Sequence, residues 1–337
     1  MQIPLTKRRF ERRTLTRTAR TAQIALLAVF AALALSRLDL AVNGLFLGSV
    51  LALGAIGITL VFGVLRFANI AQGDMMTLGA YVTFFLLVSV LPEHTGLGPF
   101  TFGYPLFIAI PASMAAVAIL AVAMELLVYR RLRARRANLV TMEIASLGIA
   151  IAIRGVVQMI WDTPVRYFPN ETRPHFNLPG DISIAPNHLF VSGAALLLAI
   201  ALHLVLTRTK QGKAMRATSD NPDLARASGI NTDRVLLWTW AIAGALAGAA
   251  GVLLVVFNAT AQVKPSTGFQ LLVPLFAAVV VGGIGNPYGA FIGALLIGVS
   301  MEVSTAWALT TYKPAVAFTV MVLVLLFRPR GILGSKE

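Results

Sequence analysis

The sequence predicts an all-α, polytopic membrane protein of about ten transmembrane helices, with glycine-broken segments among them. Three observations predict it. Of 337 residues, 57% are hydrophobic and only 12% are charged, about half the charged share of a soluble domain. Apolar stretches recur from about Ala22 to Phe327 with few long polar gaps. The Lys and Arg residues behind the formal net charge of +14 gather between those stretches rather than within them. No soluble fold is present to carry a basic surface, so nucleic acid is not an expected partner, and the charge reads as the positive-inside pattern.

A helix needs about 20 apolar residues to cross the hydrocarbon core. The predicted spans are 22–38, 42–65, 70–91, 105–128, 139–160, 188–206, 235–257, 271–284, 289–308 and 314–327. The eighth and tenth are short and are expected to be tilted or partly re-entrant. Alternate loops (1–21, Arg66, 129–138, 207–234 and 328–337) hold 22 of the 28 Lys and Arg, and the opposite set holds 5. That split assigns the basic side, and both termini, to the cytoplasm. Residues 1–21 are a basic extension and 22–40 an extra helix or signal anchor. The run to Ala34-Leu35-Ser36 also fits a cleaved signal, but its continuation through Leu38 and Leu40 favours an uncleaved helix. The membrane domain proper is 41–327, and 328–337 is a tail. The longest outer loop, 161–187, is rich in Pro, Asn and Asp and reads as an irregular or short-hairpin cap.

Close helix contact in lipid comes from small residues. Gly44/Gly48, Gly244/Gly248, Ala247/Gly251 and Gly289/Gly293 each put a flat strip on one helix face. Packing within the bundle is the plainer reading, and contact with a second membrane subunit the sharper one. The stretch Gly282-Gly283-Ile284-Gly285-Asn286-Pro287-Tyr288-Gly289 cannot continue a helix, because Pro287 removes a donor and the glycines favour a turn. It predicts a tight turn on the basic side.

There is no cysteine, and the four histidines show no i,i+3 or i,i+4 pairing, so no metal site is expected. The chain carries no G-x-x-x-x-G-K-[ST] phosphate loop. If ATP drives the system, partner subunits bind it, and this chain is expected to bind no cofactor and to be no enzyme.

Ionisable and amide groups inside spans are functional candidates. Asn69, Gln72 and Asp74 open the third span. Amides suit contact with a polar solute, and a helix start capped by Asn69 with Asp74 at its positive end is the equal alternative. Arg154 lies inside the fifth span and is expected in a structural ion pair, with Asp162 or Glu302. Glu125, one turn before Tyr129-Arg130-Arg131, belongs at the inner interface.

The loop 207–234 is the most informative. Asp220 and Asn221 are good caps, Pro222 fits the first helical position, and Asp223 suits the positive end. Leu224, Ala225 and Ser228 are read as one face, and Gly229 before Ile230 as a stop. A helix of about two turns needs a surface to dock on, either its own bundle or the groove of an ATPase.

This loop, continued by Asn231-Thr232-Asp233-Arg234-Val235, resembles that of the permeases of bacterial branched-chain amino-acid ABC importers, the Liv-type family. Asn43 to Ser49, the N-x-A-[HQ]-G stretch Asn69 to Gly73, Gly282 to Gly285 and Pro329 to Gly334 extend the resemblance from Ala41 to the C-terminus. Gln72 stands where many relatives have histidine, and the N-terminal extension is a departure. The resemblance implies a bacterial inner-membrane import permease, a homologous second permease, two ABC ATPase subunits and a periplasmic solute-binding protein. Coupling would run through Asp220–Ile230, and the solute would pass Asn69, Gln72 and Asp74. Relatives that carry urea or amides keep those substrates as alternatives. An ion-coupled secondary transporter would need a mid-depth carboxylate, for which Glu302 is the candidate.

Overall fold

The computed structural model describes residues 36–91, 97–168, 176–178, 182–258 and 262–334. The chain folds into α1 (Leu38–Leu65), α2 (Gln72–Val90), α3 (Pro105–Ala134), α4 (Leu139–Trp161) and α5 (Pro186–Arg208). Two short helices follow, α6 (Lys210–Asp220) and α7 (Pro222–Ala227). Then come α8 (Thr232–Phe257), α9 (Thr267–Gly282), α10 (Pro287–Ser304) and α11 (Lys313–Phe327). Eight described helices are long and apolar enough to cross a membrane, α11 counting from Thr310 with the 3-10 turn that precedes it, while α9 is shorter, at 16 residues. The predicted spans from 42–65 onward match these helices closely. The first, 22–38, lies outside the described residues up to residue 35.

Helix α1 is apolar on every side and sits at the centre of the bundle with most of its length buried, as an all-round hydrophobic helix must. Its close partners are α8 and α10. A Cβ at Gly44 would lie 2.5 Å from the Cα of Val299, and one at Gly48 would lie 2.8 Å from the Cα of Leu295. The two backbones are in direct contact, which only glycine permits. The Gly244/Gly248 strip is filled in the same way by Val117 and Ser113 of α3, and Gly293 faces Ala278 and Gly282 of α9. The strips singled out in the sequence are therefore consumed inside the chain. On α4, by contrast, Gly148 and Gly155 face open space, and α4 and α11 expose most of their surface.

At the end opposite the basic loops, β1 (Arg166–Tyr167) pairs antiparallel with β4 (Gln262–Val263), in register Arg166↔Val263. A hairpin of β2 (Phe176–Leu178) and β3 (Ile182–Ile184) completes that cap. At the basic end, the turn after α9 places Gly283 at φ 110° and Gly285 at φ 85°, angles that suit glycine. Asn286 caps α10 by accepting from Tyr288 N at 3.0 Å and Gly289 N at 3.2 Å. The tail lies against this turn, with Ile332 N donating to Val281 O at 2.8 Å and Leu333 N to Gly282 O at 2.9 Å. The two glycine-rich motifs near the C-terminus thus form one packed unit.

Candidate functional site

Helix α2 begins inside the bundle rather than at its end. Gln72 reaches the carbonyl of Ala243 (3.3 Å), eleven residues beyond the start of α8, or ~16 Å along its axis. The chain from Arg66 to Ala71 therefore enters the bundle as irregular backbone, which the hydrocarbon region tolerates only inside protein. Its polar side chains satisfy it. Asn69 Oδ1 accepts from Ala71 N (3.2 Å) and from Ser146 Oγ of α4 (2.9 Å), while its Nδ2 donates to Gln72 Oε1 (3.1 Å). Ser146 Oγ also accepts from Ala71 N at 3.1 Å. Asn69 and Gln72 are fully buried. Phe67, Tyr129 and Trp240 form a buried aromatic cluster, in which the Tyr129 and Trp240 rings stack 4.8 Å apart and Phe67 is tilted against both. Ser146 was not singled out from the sequence, since a lone serine in an apolar span gives no signal.

Two residues further on, Asp74 accepts two hydrogen bonds from Arg154 of α4, from Nε at 3.1 Å and from Nη2 at 3.0 Å. The guanidinium lies over the ring of Phe269, 4.4 Å from its centroid. This corrects the expected pairing of Arg154 with Asp162 or Glu302. Asp162 is the exposed cap residue two turns beyond Arg154 on the same helix. Glu302, near the end of α10, accepts from Lys313 Nζ at 2.6 Å. The sequence could not show that α2 and α4 lie side by side. The Asp74 side chain is 2% exposed and that of Arg154 is 22% exposed. Gly73 and Gly268 bring the first turns of α2 and α9 into backbone contact, and Thr77 Oγ1 accepts from Gly268 N at 2.8 Å. Two helix N-termini thus meet beside Asp74 and Arg154. At the C-terminal end of α3, Arg133 donates to both carboxylate oxygens of Glu125.

The loop between α5 and α8 holds two helices, whereas its caps predict one. Helix α6 is not expected from the sequence because it is short and polar, with Gly212 in its first turn and no sustained apolar run to mark it; its cap Thr209 accepts from Gly212 N at 3.0 Å. Asn221 then caps α7, accepting from Asp223 N (3.1 Å) and Leu224 N (3.0 Å), and Pro222 takes the first position as expected. Gly229, at φ 82°, ends the helix, and Ile230 N donates to Ala225 O at 3.0 Å. One expectation needs correction. Leu224, Ala225 and Ser228 do not share a face, because adjacent helical residues are about 100° apart. Ala225 is buried against the bundle at 3% exposure, while Leu224, at 64%, and Ser228 face outward. Asp220 and Asp223 are also exposed. The loop is tied to α1, with Ser219 Oγ donating to Gly63 O (2.7 Å) and Arg66 Nη2 to Ser219 O (2.8 Å).

Residues 40–325 match the family described as the branched-chain amino acid transport system / permease component. The chain belongs to this family. It is 31% identical over 305 residues to the high-affinity branched-chain amino acid transport system permease protein LivH of Escherichia coli K12, covering 88% of this chain and 94% of that one. Identity to BraD of Pseudomonas aeruginosa is 32% over 302 residues, covering 88% and 95%. The ribose import permease protein RbsC of Escherichia coli K12 is 27% identical over 191 residues, 54% of this chain and 58% of that one. No solved structure matches the chain. Both regions described above lie within the matched span of this branched-chain amino acid permease family, whereas the basic N-terminal extension precedes it.

Proposed function

We propose that this chain is one of two permease subunits of an ATP-binding-cassette importer for branched-chain amino acids in a bacterial inner membrane. Its basic end and both termini face the cytoplasm, two ATPase subunits supply the energy, and an extracytoplasmic binding protein delivers the solute. One observation carries this reading: the family match spans nearly the whole membrane domain of a chain that has no phosphate loop. The ion-coupled alternative loses its candidate, since Glu302 is paired with Lys313 near one end of α10.

The path is proposed to follow the flank of α4 that carries Glu143, Arg154 and Gln158. These residues fall within one sector of the helix. Arg154 lies ~22 Å along α4 from Leu139 and ~10 Å from Trp161. A partly exposed guanidinium at that depth is costly in lipid, so the surface that bears it faces water or protein. Helix N-termini that meet within a membrane are a recurrent way to receive an anionic group, and a solute carboxylate fits beside Arg154, with Phe269 for an apolar side chain. Asp74 orients Arg154, and Asn69 with Gln72 locks the entry of α2 behind it. The outward strip of Gly148 and Gly155 supports close approach of the second permease.

In the coupling step, Leu224 and the capped helix α7 dock on the ATPase, and motion there passes through Ser219, Gly63 and Arg66 to α1. The test is uptake into vesicles by the permease reconstituted with and without its ATPase and binding-protein partners, using leucine, valine, urea and ribose. ATP-dependent uptake of leucine and valine is expected only with all partners. Uptake by the permease alone would overturn the reading.

A further inference from the structure

We infer that the basic end carries a binding site for the phosphate-bearing headgroup of an anionic phospholipid. A cavity of about 310 Å³ opens there between the end of α1, the end of α9 and the tail after α11. Arg66 and Arg330 bring two cations to it, and Val280, Ile284 and Leu325 form its apolar wall. Both arginines are exposed, and among the described residues neither has a carboxylate within ion-pair distance.

The geometry of Arg66 is fixed. It ends α1 in the left-handed region, at φ 61°, with its backbone N–H donating to Phe62 O at 2.8 Å. One of its terminal nitrogens is anchored on Ser219 O, which leaves the other donors of the fork for a ligand. Arg330 is carried by the tail segment that pairs with the end of α9 through Ile332 and Leu333. Two arginines lining one cavity, with no carboxylate within ion-pair distance among the described residues, match a phosphate group, which guanidinium groups can bind bidentately.

The apolar wall decides between sources of that phosphate. Val280 and Leu325 belong to the last turns of helices that continue into the membrane. A ligand with an anionic head and acyl chains satisfies both halves of the cavity, whereas a free phosphate or an acidic side chain of a partner uses only the cationic half. Because Arg66 also holds Ser219, headgroup binding would brace the segment from which α7 projects.

The test is native mass spectrometry of the full-length permease with its partner subunits, released from bilayers of equal parts phosphatidylglycerol and phosphatidylcholine with matched chains. The wild type is expected to retain phosphatidylglycerol preferentially. Each arginine removed is expected to cost roughly fivefold of that preference, so R66Q/R330Q should approach parity and R66K/R330K should keep most of it. R131Q/R135Q, which removes two cations elsewhere at the basic end, should leave it intact. If R66Q/R330Q does not assemble, R330Q alone is read, and it should show the single roughly fivefold loss. An unchanged preference in the variants overturns the site, as does an equal loss in R131Q/R135Q. Displacement of the lipid by millimolar inorganic phosphate would make it a free-anion site. Weaker ATPase retention by R66Q/R330Q in pure phosphatidylcholine, with no change in lipid preference, would assign the cavity to an acidic protein partner.

Discussion

Replacing Asp74 by Asn tests the link between α2 and α4. Arg154 makes two charge-assisted bonds to Asp74, whose side chain is 2% exposed. Removing one member of a buried pair costs about 3–5 kcal/mol, because the other charge is left uncompensated. Here the low end applies to D74N, since Arg154 keeps 22% exposure and can turn toward the proposed path, giving about 3 kcal/mol. R154Q leaves the carboxylate buried and unpaired, and should cost at least as much. In D74N/R154Q both charges are gone and two amides can bond, so the loss should fall short of the sum by about 2 kcal/mol. Reversible unfolding in mixed micelles of dodecyl sulfate and a mild detergent measures all three. Additivity within about 0.5 kcal/mol would refute the reasoning, for it would mean that the two groups do not interact. Leucine uptake at matched protein levels then separates stability from transport. A stable D74N/R154Q variant should still lose uptake if Arg154 faces the solute.

Other predictions concern packing, the path and the loop. G48L inserts a side chain where even a Cβ meets the Cα of Leu295 at 2.8 Å; it should sharply reduce the yield of folded protein in detergent, whereas G148L, facing open space, should not. The chain has no cysteine, so single thiols report cleanly: in the assembled importer, Q158C should react with a charged thiol reagent, and I160C, on an exposed apolar part of α4, should react far less. N221A removes the cap of α7 and should cost about 1 kcal/mol of local stability, read as faster amide exchange over residues 223–228 with the bundle unchanged. A225E should disturb the loop itself because Ala225 is buried, while L224E should leave folding intact and uncouple ATP hydrolysis from uptake.

The sequence revealed features whose cause is local. Spans were legible because crossing requires a sustained apolar run, and nine of the predicted segments coincide with helices within a few residues. Asn221, Pro222 and Gly229 announced α7 because caps, first-turn prolines and left-handed stops act over three or four residues. The break at Gly282–Pro287 was legible for the same reason. What was not legible depends on which helices are neighbours. Arg154 was assigned to Asp162 or Glu302 because nothing in one sequence shows that Asp74 lies across from it. Asn69 and Gln72 read equally as a helix start or as a solute contact, and their bonds to Ser146 and Ala243 come from helices far along the chain. The outward and inward roles of Leu224 and Ala225 turned on about 100° of rotation, too fine for a two-turn pattern to fix.

In the proposed importer α7 reaches out from the cytoplasmic end and grips a separate energy-supplying subunit. L224C, the sole thiol in the chain, measures it directly with a membrane-impermeant maleimide on oriented vesicles. The account predicts rapid labelling from the cytoplasmic face when the permease is alone and strong protection once the ATPase subunits are bound. Labelling from the opposite face, or labelling that the ATPase leaves unchanged, would contradict it.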